Sequence, residues 1–222
     1  MSTADDPPGS AAASAVVLAG GASRRMGRDK RLLPWGTDAD GRPRTLLQAV
    51  VDTLAAVTDD VIVVANDRPD VGRARVVPDA IPGSGSLGGI LSGIEAALHK
   101  RVFVAAVDMP FLNVALVRDL LDRLGGHDAV VPVIGGRPEP LHAVYGPAVA
   151  TAARRQIAQG QLKIALAYEG LEVVRVPEAD LRRVDPELRS FRNVNTPEDY
   201  TGARTDAALP NTDMSFRAKR GI

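Results

Sequence analysis

Thirteen residues near the amino terminus carry the densest chemistry in the chain: Leu18-Ala19-Gly20-Gly21-Ala22-Ser23-Arg24-Arg25-Met26-Gly27-Arg28-Asp29-Lys30. Adjacent glycines let a backbone approach a ligand closely, so that successive N–H groups point at one anion. Lysine adds a point charge and arginine a planar fork, a combination suited to a polyphosphate. Gly20-Gly21 alone is explained by a strand-to-helix turn; the ordered Arg, Gly and Lys favour the anion site. The loop lacks the Gly-Lys-Ser/Thr of a Walker motif and the Gly-x-Gly-x-x-Gly of a dinucleotide fingerprint, which disfavours an ordinary kinase or dehydrogenase. A second chemical position is Asp108, directly after the apolar run Val102 to Val107 and before Met109-Pro110, where proline ends the strand. Taken alone it is a turn former. Beside a polyphosphate loop it supplies the hard oxygen that magnesium shares with substrate phosphates.

These residues need a scaffold, and the apolar pattern supplies one. Short β-branched runs at Ala15 to Leu18, Val61 to Ala65, Arg75 to Val77 and Val102 to Val107 read as buried strands. Helix-period stretches at Thr45 to Val57, Leu87 to Lys100 and Val114 to Leu124 separate them. This alternation predicts an α/β three-layer sandwich, a mostly parallel sheet with helices on both faces. Gly20, Asn66, Asp79 and Asp108 each sit just beyond a predicted strand, on the carboxyl rim where open α/β sheets bind ligands. Pro82 to Gly89 leads into the second helix and reads either as a segment lying against base or ribose or as an entry loop capped by Ser86. After Ala129 the runs shorten: Ala129 to Ile134 and Leu141 to Tyr145 flank Gly135-Gly136-Arg137-Pro138 and read as a hairpin-like insertion. Helices at Pro147 to Gln159 and Leu162 to Tyr168 and a strand at Val173 to Val176 follow. The last helix starts at Thr196-Pro197-Glu198-Asp199, with the signature of a cap, a first-turn proline and a capping-box acid.

One domain is expected over residues 15–202, between disordered tails at 1–14 and 203–222. The chain has 222 residues, 45% of them hydrophobic, and equal numbers of basic and acidic residues, 27 each, so no net field draws it to nucleic acid or an anionic membrane. Cysteine is absent, which removes thiolate chemistry and disulfides and suits a reducing cytoplasm. Asp5 and Asp6 replace a basic n-region, and the run Ala11 to Ala19 is too short and polar for a signal peptide or a span.

The glycine loop resembles that of the molybdenum cofactor guanylyltransferases, within the sugar-phosphate-type nucleotidyltransferase superfamily. The resemblance covers roughly Ala15 to Gly202. It continues through Val77-Pro78-Asp79, Pro82 to Gly89, Val107-Asp108-Met109-Pro110-Phe111-Leu112, Arg137-Pro138-Glu139-Pro140-Leu141 and Asn193-Val194-Asn195-Thr196-Pro197-Glu198-Asp199. It implies a Rossmann-like nucleotidyltransferase fold that moves GMP from GTP to molybdopterin with Mg2+ and releases pyrophosphate. In that family the double glycine is more typical of guanylyl transfer, whereas cytidylyl relatives tend to carry Ala before one Gly. By the same resemblance, Leu18, Ala19, Gly20, Gly21, Lys30, Asn66, Asp79 and Asp108 contact the nucleotide. Arg25, Lys30 and Asp108 serve catalysis and Asp108 the metal, while Arg137, Glu139, Lys163, Asn193 and Asn195 face the acceptor. His142, with no nucleophile paired to it, is expected to be structural. Ser86 and Gly88 depart from the family's usual Pro and frequent Ala. Cytidylyl transfer, another phosphorylated acceptor, and a non-catalytic accessory protein of molybdenum-enzyme maturation, bound to other molybdenum-cofactor proteins, remain the alternatives.

Overall fold

A computed structural model describes residues 12–20, 28–38 and 40–207. The first part runs β1 (Ser14–Leu18), β2 (Pro34–Thr37), β3 (Pro43–Thr45), α1 (Leu46–Ala55), β4 (Asp60–Val64) and β5 (Arg75–Val77). Then come α2 (Gly85–Ala96), β6 (Val102–Ala106), α3 (Val114–Arg123), β7 (Ala129–Ile134), β8 (Arg137–Pro138) and β9 (His142–Tyr145). The chain continues with α4 (Pro147–Ala158), β10 (Val173–Pro177), α5 (Glu178–Val184) and α6 (Pro197–Asp206).

The main sheet has the order β10-β7-β9-β6-β1-β4-β5, with β8 paired to β7. β1 lies parallel to both β4 and β6, and β5 is parallel to β4, as the alternating pattern predicts. All residues of β1, β4 and β6 are buried because helices cover both faces. Val17, Val63 and Phe103 pack with α1, α3 and α5 on one face. Val16, Ile62 and Val104 pack with α2 and α4 on the other. Period-two alternation thus divides each strand between two cores.

The structure departs from the sequence reading in several places. Ser14, assigned to the amino-terminal tail, is a buried member of β1, and its hydroxyl donates to the Asp60 carboxylate, which also accepts from Arg75 Nε at 2.9 Å and Leu98 N at 2.9 Å. Polarity suggested exposure, but the partner that satisfies the hydroxyl lies 46 residues away. The hairpin-like segment is part of the main sheet: β9 runs antiparallel between β6 and β7, and all four of its residues are buried. α6 continues to Asp206, past the expected domain end, because Ala203 and Arg204 pack inward. Ile164–Tyr168 forms a 3-10 turn where a helix was expected over 162–168, and α5 and the β2–β3 hairpin had no sequence signal strong enough to read. Ser84, not Ser86, stands at the amino-terminal cap of α2; its hydroxyl donates to the Ile81 carbonyl.

Local rules hold elsewhere. Thr45 and Gln48 form a capping box on α1, and Thr196 and Asp199 form one on α6 behind Pro197. Gly93 sets how near α2 lies to the sheet: a Cβ there would meet Val16 Cγ1 at 2.5 Å. That close approach brings the amino end of α2 beside the end of β1.

Candidate active site

Lys30 opens a 3-10 turn, Lys30–Leu32, capped by Asp29. Its Nζ lies 2.6 Å from Asp108 Oδ2 and 3.5 Å from Asn195 Oδ1. Asp108 is held from both sides. Val107 N donates to Leu18 O at 3.2 Å, locking the end of β6 to β1, and the Asp108 carbonyl accepts from Val194 N at 2.9 Å. Asn195 is fixed in turn, because its N–H and that of Thr196 donate to Asp199 Oδ2 at 3.0 and 2.9 Å. These backbone bonds, first that of Asn195, hold the Asp199 carboxyl below its ordinary pKa. The Lys30 and Asp108 side chains retain 21% and 14% of their exposure, enough to meet a ligand from solvent.

Beside this pair lies a cleft of about 600 Å³ whose walls include Leu18, Gly20, Asn66, Asp79, Ser86 and Gly89. Asn66 Oδ1 accepts from Asp79 N at 2.9 Å. Asp79 Oδ1 accepts from Ile81 N at 3.1 Å and from Ser92 Oγ at 3.4 Å. Leu18 and Val64 supply an apolar floor, and Asn66 and Asp79 supply polar groups at one side, the composition of a nucleoside-sized site. Ala19 is buried behind the cleft, donating to Val64 O at 3.0 Å. Gly21 and Arg25 lie outside the described residues. A cavity of about 620 Å³ at the amino-terminal edge of the sheet, bordered by Ala12, Asp59, His99 and Arg101, contains none of these groups. Convergence at the carboxyl rim, rather than volume, singles out the first cleft.

Residues 15–173 match the family model described as the MobA-like NTP transferase domain. The chain belongs to this family. A molybdenum cofactor guanylyltransferase of Desulfosudis oleivorans is 37% identical over 187 residues, covering 83% of this chain and 90% of that protein. A probable molybdenum cofactor guanylyltransferase of Methanosarcina mazei is 35% identical, covering 81% and 84%. The crystal structure of molybdopterin-guanine dinucleotide biosynthesis protein A from Archaeoglobus fulgidus superposes with a TM-score of 0.73 at 32% identity, covering 88% of this chain and 98% of that one. A 2-C-methyl-D-erythritol 4-phosphate cytidylyltransferase from Thermus thermophilus, at 20% identity and a TM-score of 0.62, covering 87% and 98%, shares the fold. The Rossmann-like nucleotidyltransferase architecture and the enzyme class are therefore those the sequence led us to expect.

In this MobA-like domain the five residues assigned to the acceptor stand in different surroundings. Asn195 joins Lys30. Arg137 is exposed on β8, Glu139 sits in the turn after it, Lys163 is exposed after α4, and Asn193 is exposed ahead of Val194. Among the described residues no hydrogen bond links these four to Asp108 or Asn195. Burial alone raises the Glu139 pKa. His142 is structural in its surroundings: its ring packs 5.0 Å from Phe103 and 4.4 Å from Phe191, and burial pushes its pKa down to about 3.

The donor set at Asp108 fits magnesium. Its carboxylate and the amide oxygen of Asn195 are hard oxygens beside an ammonium group, and magnesium commonly takes one or two protein carboxylates and completes its shell with water and substrate phosphates. Sequence reasoning missed Asp29, Arg31 and Asp67, which form an ion network at the rim. The available signal was adjacency: Arg31 follows Lys30, and Asp67 follows Asn66.

Proposed function

We propose that this chain transfers GMP from GTP to molybdopterin, using Mg2+ and releasing pyrophosphate. The observation that carries the reading is the Lys30–Asp108 pair, 2.6 Å apart, one residue beyond the Val107–Leu18 bond that joins β6 to the strand lining the cleft. In the reaction a terminal phosphate oxygen of molybdopterin forms a bond to the α-phosphorus of GTP. The bond from that phosphorus to the bridging oxygen breaks, and the electron pair leaves with pyrophosphate. The attacking oxygen is already ionised near neutral pH, so the protein's task is positioning and charge neutralisation rather than proton abstraction. Lys30 offers the cation for the triphosphate, with Arg25 as a second one. Leu18 and Gly20 line the cleft in which the nucleotide lies, Ala19 backs it, Gly21 is assigned to the same nucleotide contact, and Asn66 and Asp79 hold its nucleoside. Asn195 orients Lys30, while Arg137, Glu139, Lys163 and Asn193 make the wider acceptor surface. Mg2+ at Asp108 would withdraw charge from the phosphates when bound.

No helix among the described residues is long and apolar enough to cross a membrane. A cysteine-free chain with a phosphorylated small-molecule acceptor suits the cytoplasm, where other molybdenum-cofactor proteins would supply molybdopterin and receive the product.

The test is pyrophosphate release by purified protein with Mg2+ and molybdopterin, comparing GTP, CTP, ATP and UTP. GTP is expected to win, and Asp108→Ala to lower its turnover by about 100-fold or more while the protein stays folded. Preference for CTP would overturn the base assignment, and full activity in a folded Asp108→Ala protein would overturn the metal assignment.

A further inference from the structure

One guanidinium bridges the two loops that the proposed reading assigns to opposite ends of the nucleotide. Arg31 Nε lies 3.0 Å from each carboxylate oxygen of Asp29, and Nη2 lies 2.6 Å from Asp29 Oδ2. The other side of the fork reaches Asp67, with Nη1 2.6 Å from Oδ1 and Nη2 2.8 Å from Oδ2. Asp29 Oδ1 also accepts from Arg31 N at 3.0 Å, so the same carboxylate caps the turn that carries Lys30. Hydrogen bonding to Asp29 and then Asp67 raises the Arg31 pKa, and the guanidinium lowers that of each carboxylate, Asp29 first through its side-chain bond.

The position of this bridge matters more than its charge. β1 and β4 are already joined by five register pairs, Ser14–Leu18 against Asp60–Val64, followed by one bond from Ala19 N to Val64 O. Beyond that bond the strands need no further tie, yet here Arg31 links the segment after β1 to the segment after β4. Lys30 stands one residue before Arg31 and pairs with Asp108; Asn66 stands one residue before Asp67 and holds Asp79 N. Asp67 is 55% exposed, and an ordinary ion pair at such a site contributes little to stability. A fork engaged on both carboxylates fixes geometry instead. With two carboxylates already on it, Arg31 is not offering its charge to a phosphate.

We propose that Arg31 is a positioning residue: with Asp29 and Asp67 it presets the distance between Lys30 and the Asn66–Asp79 side of the cleft, so that the phosphate and nucleoside sites match one bound nucleotide. The inference rests on reading Lys30, Asn66 and Asp79 as nucleotide contacts. Preset spacing lowers the ordering penalty of binding, so its loss falls on affinity.

The test uses the full chain with Arg31→Met, which keeps the stem and removes the fork, Arg31→Lys, which keeps only charge, and Asp67→Asn, which weakens the far prong and leaves the Asp29 cap intact. Each is assayed with whichever nucleoside triphosphate the wild type uses fastest. A wrong base assignment then shows in the wild-type profile, not in the ratio of variant to wild type. Arg31→Met and Asp67→Asn are expected to raise the nucleotide KM about five- to tenfold with kcat changed less than about threefold, and Arg31→Lys to restore little. The double variant should be no worse than Arg31→Met alone, because both changes break one bridge. Amide exchange in nucleotide-free protein should quicken at residues 29–33 and 65–68 together. Lower thermal stability with unchanged KM, or effects that add in the double variant, would overturn the proposal; Asp67→Asn, at a half-exposed side chain, carries the test if Arg31→Met does not fold.

Discussion

His142 presents two buried ring nitrogens with no hydrogen-bond partner among the described residues, packed between Phe103 and Phe191. Burial depresses its pKa to about 3, against a weaker opposing pull from Asp185. The sign of the consequence follows. Above about pH 6.5 the imidazole is neutral in folded and unfolded chains alike, and stability is fully present; below it the unfolded chain takes up a proton that the folded chain refuses until about pH 3. Stability is therefore lost as pH falls through that window, by about 2 kcal/mol at pH 5. The carboxylates whose pKa is lowered, Asp29, Asp60, Asp67, Glu178 and Asp199, lose their contribution only below the ordinary carboxylate range, and Glu139, raised by burial, acts alike with or without His142, so none of them masks the difference between wild type and variant. His142→Leu should flatten the loss between pH 7 and pH 5 in urea denaturation; equal losses in both proteins would refute this account. Lys30 and Asp108 are the opposite case, charges kept at the surface of a cleft where a ligand can use them.

α2 shows how one helix couples packing to the site. Its first turn borders the nucleoside cleft through Gly85, Ser86 and Gly89, and its middle rests on β1 through Gly93. Gly88 has no spare room. A Cβ there would lie 1.7 Å from Ser84 Oγ and 3.0 Å from Asp79 Oδ1, so the Ser84 hydroxyl occupies the space an alanine would need. Gly88→Ala should push Ser84 and Asp79 apart, lower stability by about 1–3 kcal/mol as overpacking does, and raise the nucleotide KM. Ser84→Gly in the same chain should recover most of the affinity, since it removes both atoms nearest the new methyl. A double variant as weak as Gly88→Ala would show that the effect does not run through Ser84. The pair also gives a physical reason for glycine at 88 in this chain: the serine and the missing methyl are complementary.

Across the whole molecule, a third apolar cluster ties the segment after the glycine loop to the carboxyl-terminal helix. Leu33, Trp35 and Leu46 pack with Val194, Tyr200 and Ala203. The Trp35 and Tyr200 rings lie 6.2 Å apart, Tyr200 Oη donates to Pro34 O at 2.5 Å, and Arg204 Nη1 donates to the same carbonyl at 2.8 Å. This cluster holds Lys30 and Asn195 on one side of the molecule although 165 residues separate them. Tyr200→Ala should cost about 3–5 kcal/mol in urea denaturation, the range for removing a buried aromatic side chain. A loss below about 1 kcal/mol would mean that the two segments are held together elsewhere.

The glycine loop, Asp108 after an apolar strand, and the two capping boxes were legible in the sequence, because each is encoded within a few consecutive residues and obeys local geometry. The parallel strands β1, β4, β5 and β6 were legible for the same reason: buried strands need short apolar runs, and these have them. β9 was not, because its place between β6 and β7 is a choice of partner, and the backbone of His142–Tyr145 pairs equally well with any open edge of suitable pattern. Ser14 and Asp60, Arg31 and Asp67, and Lys30 with Asp108 and Asn195 were equally hidden. Sequence determined which charges this protein carries and which strand ends present them; only the tertiary structure decided which charges meet, because Coulomb attraction and burial depend on distance in space, and that distance is set by the packed core.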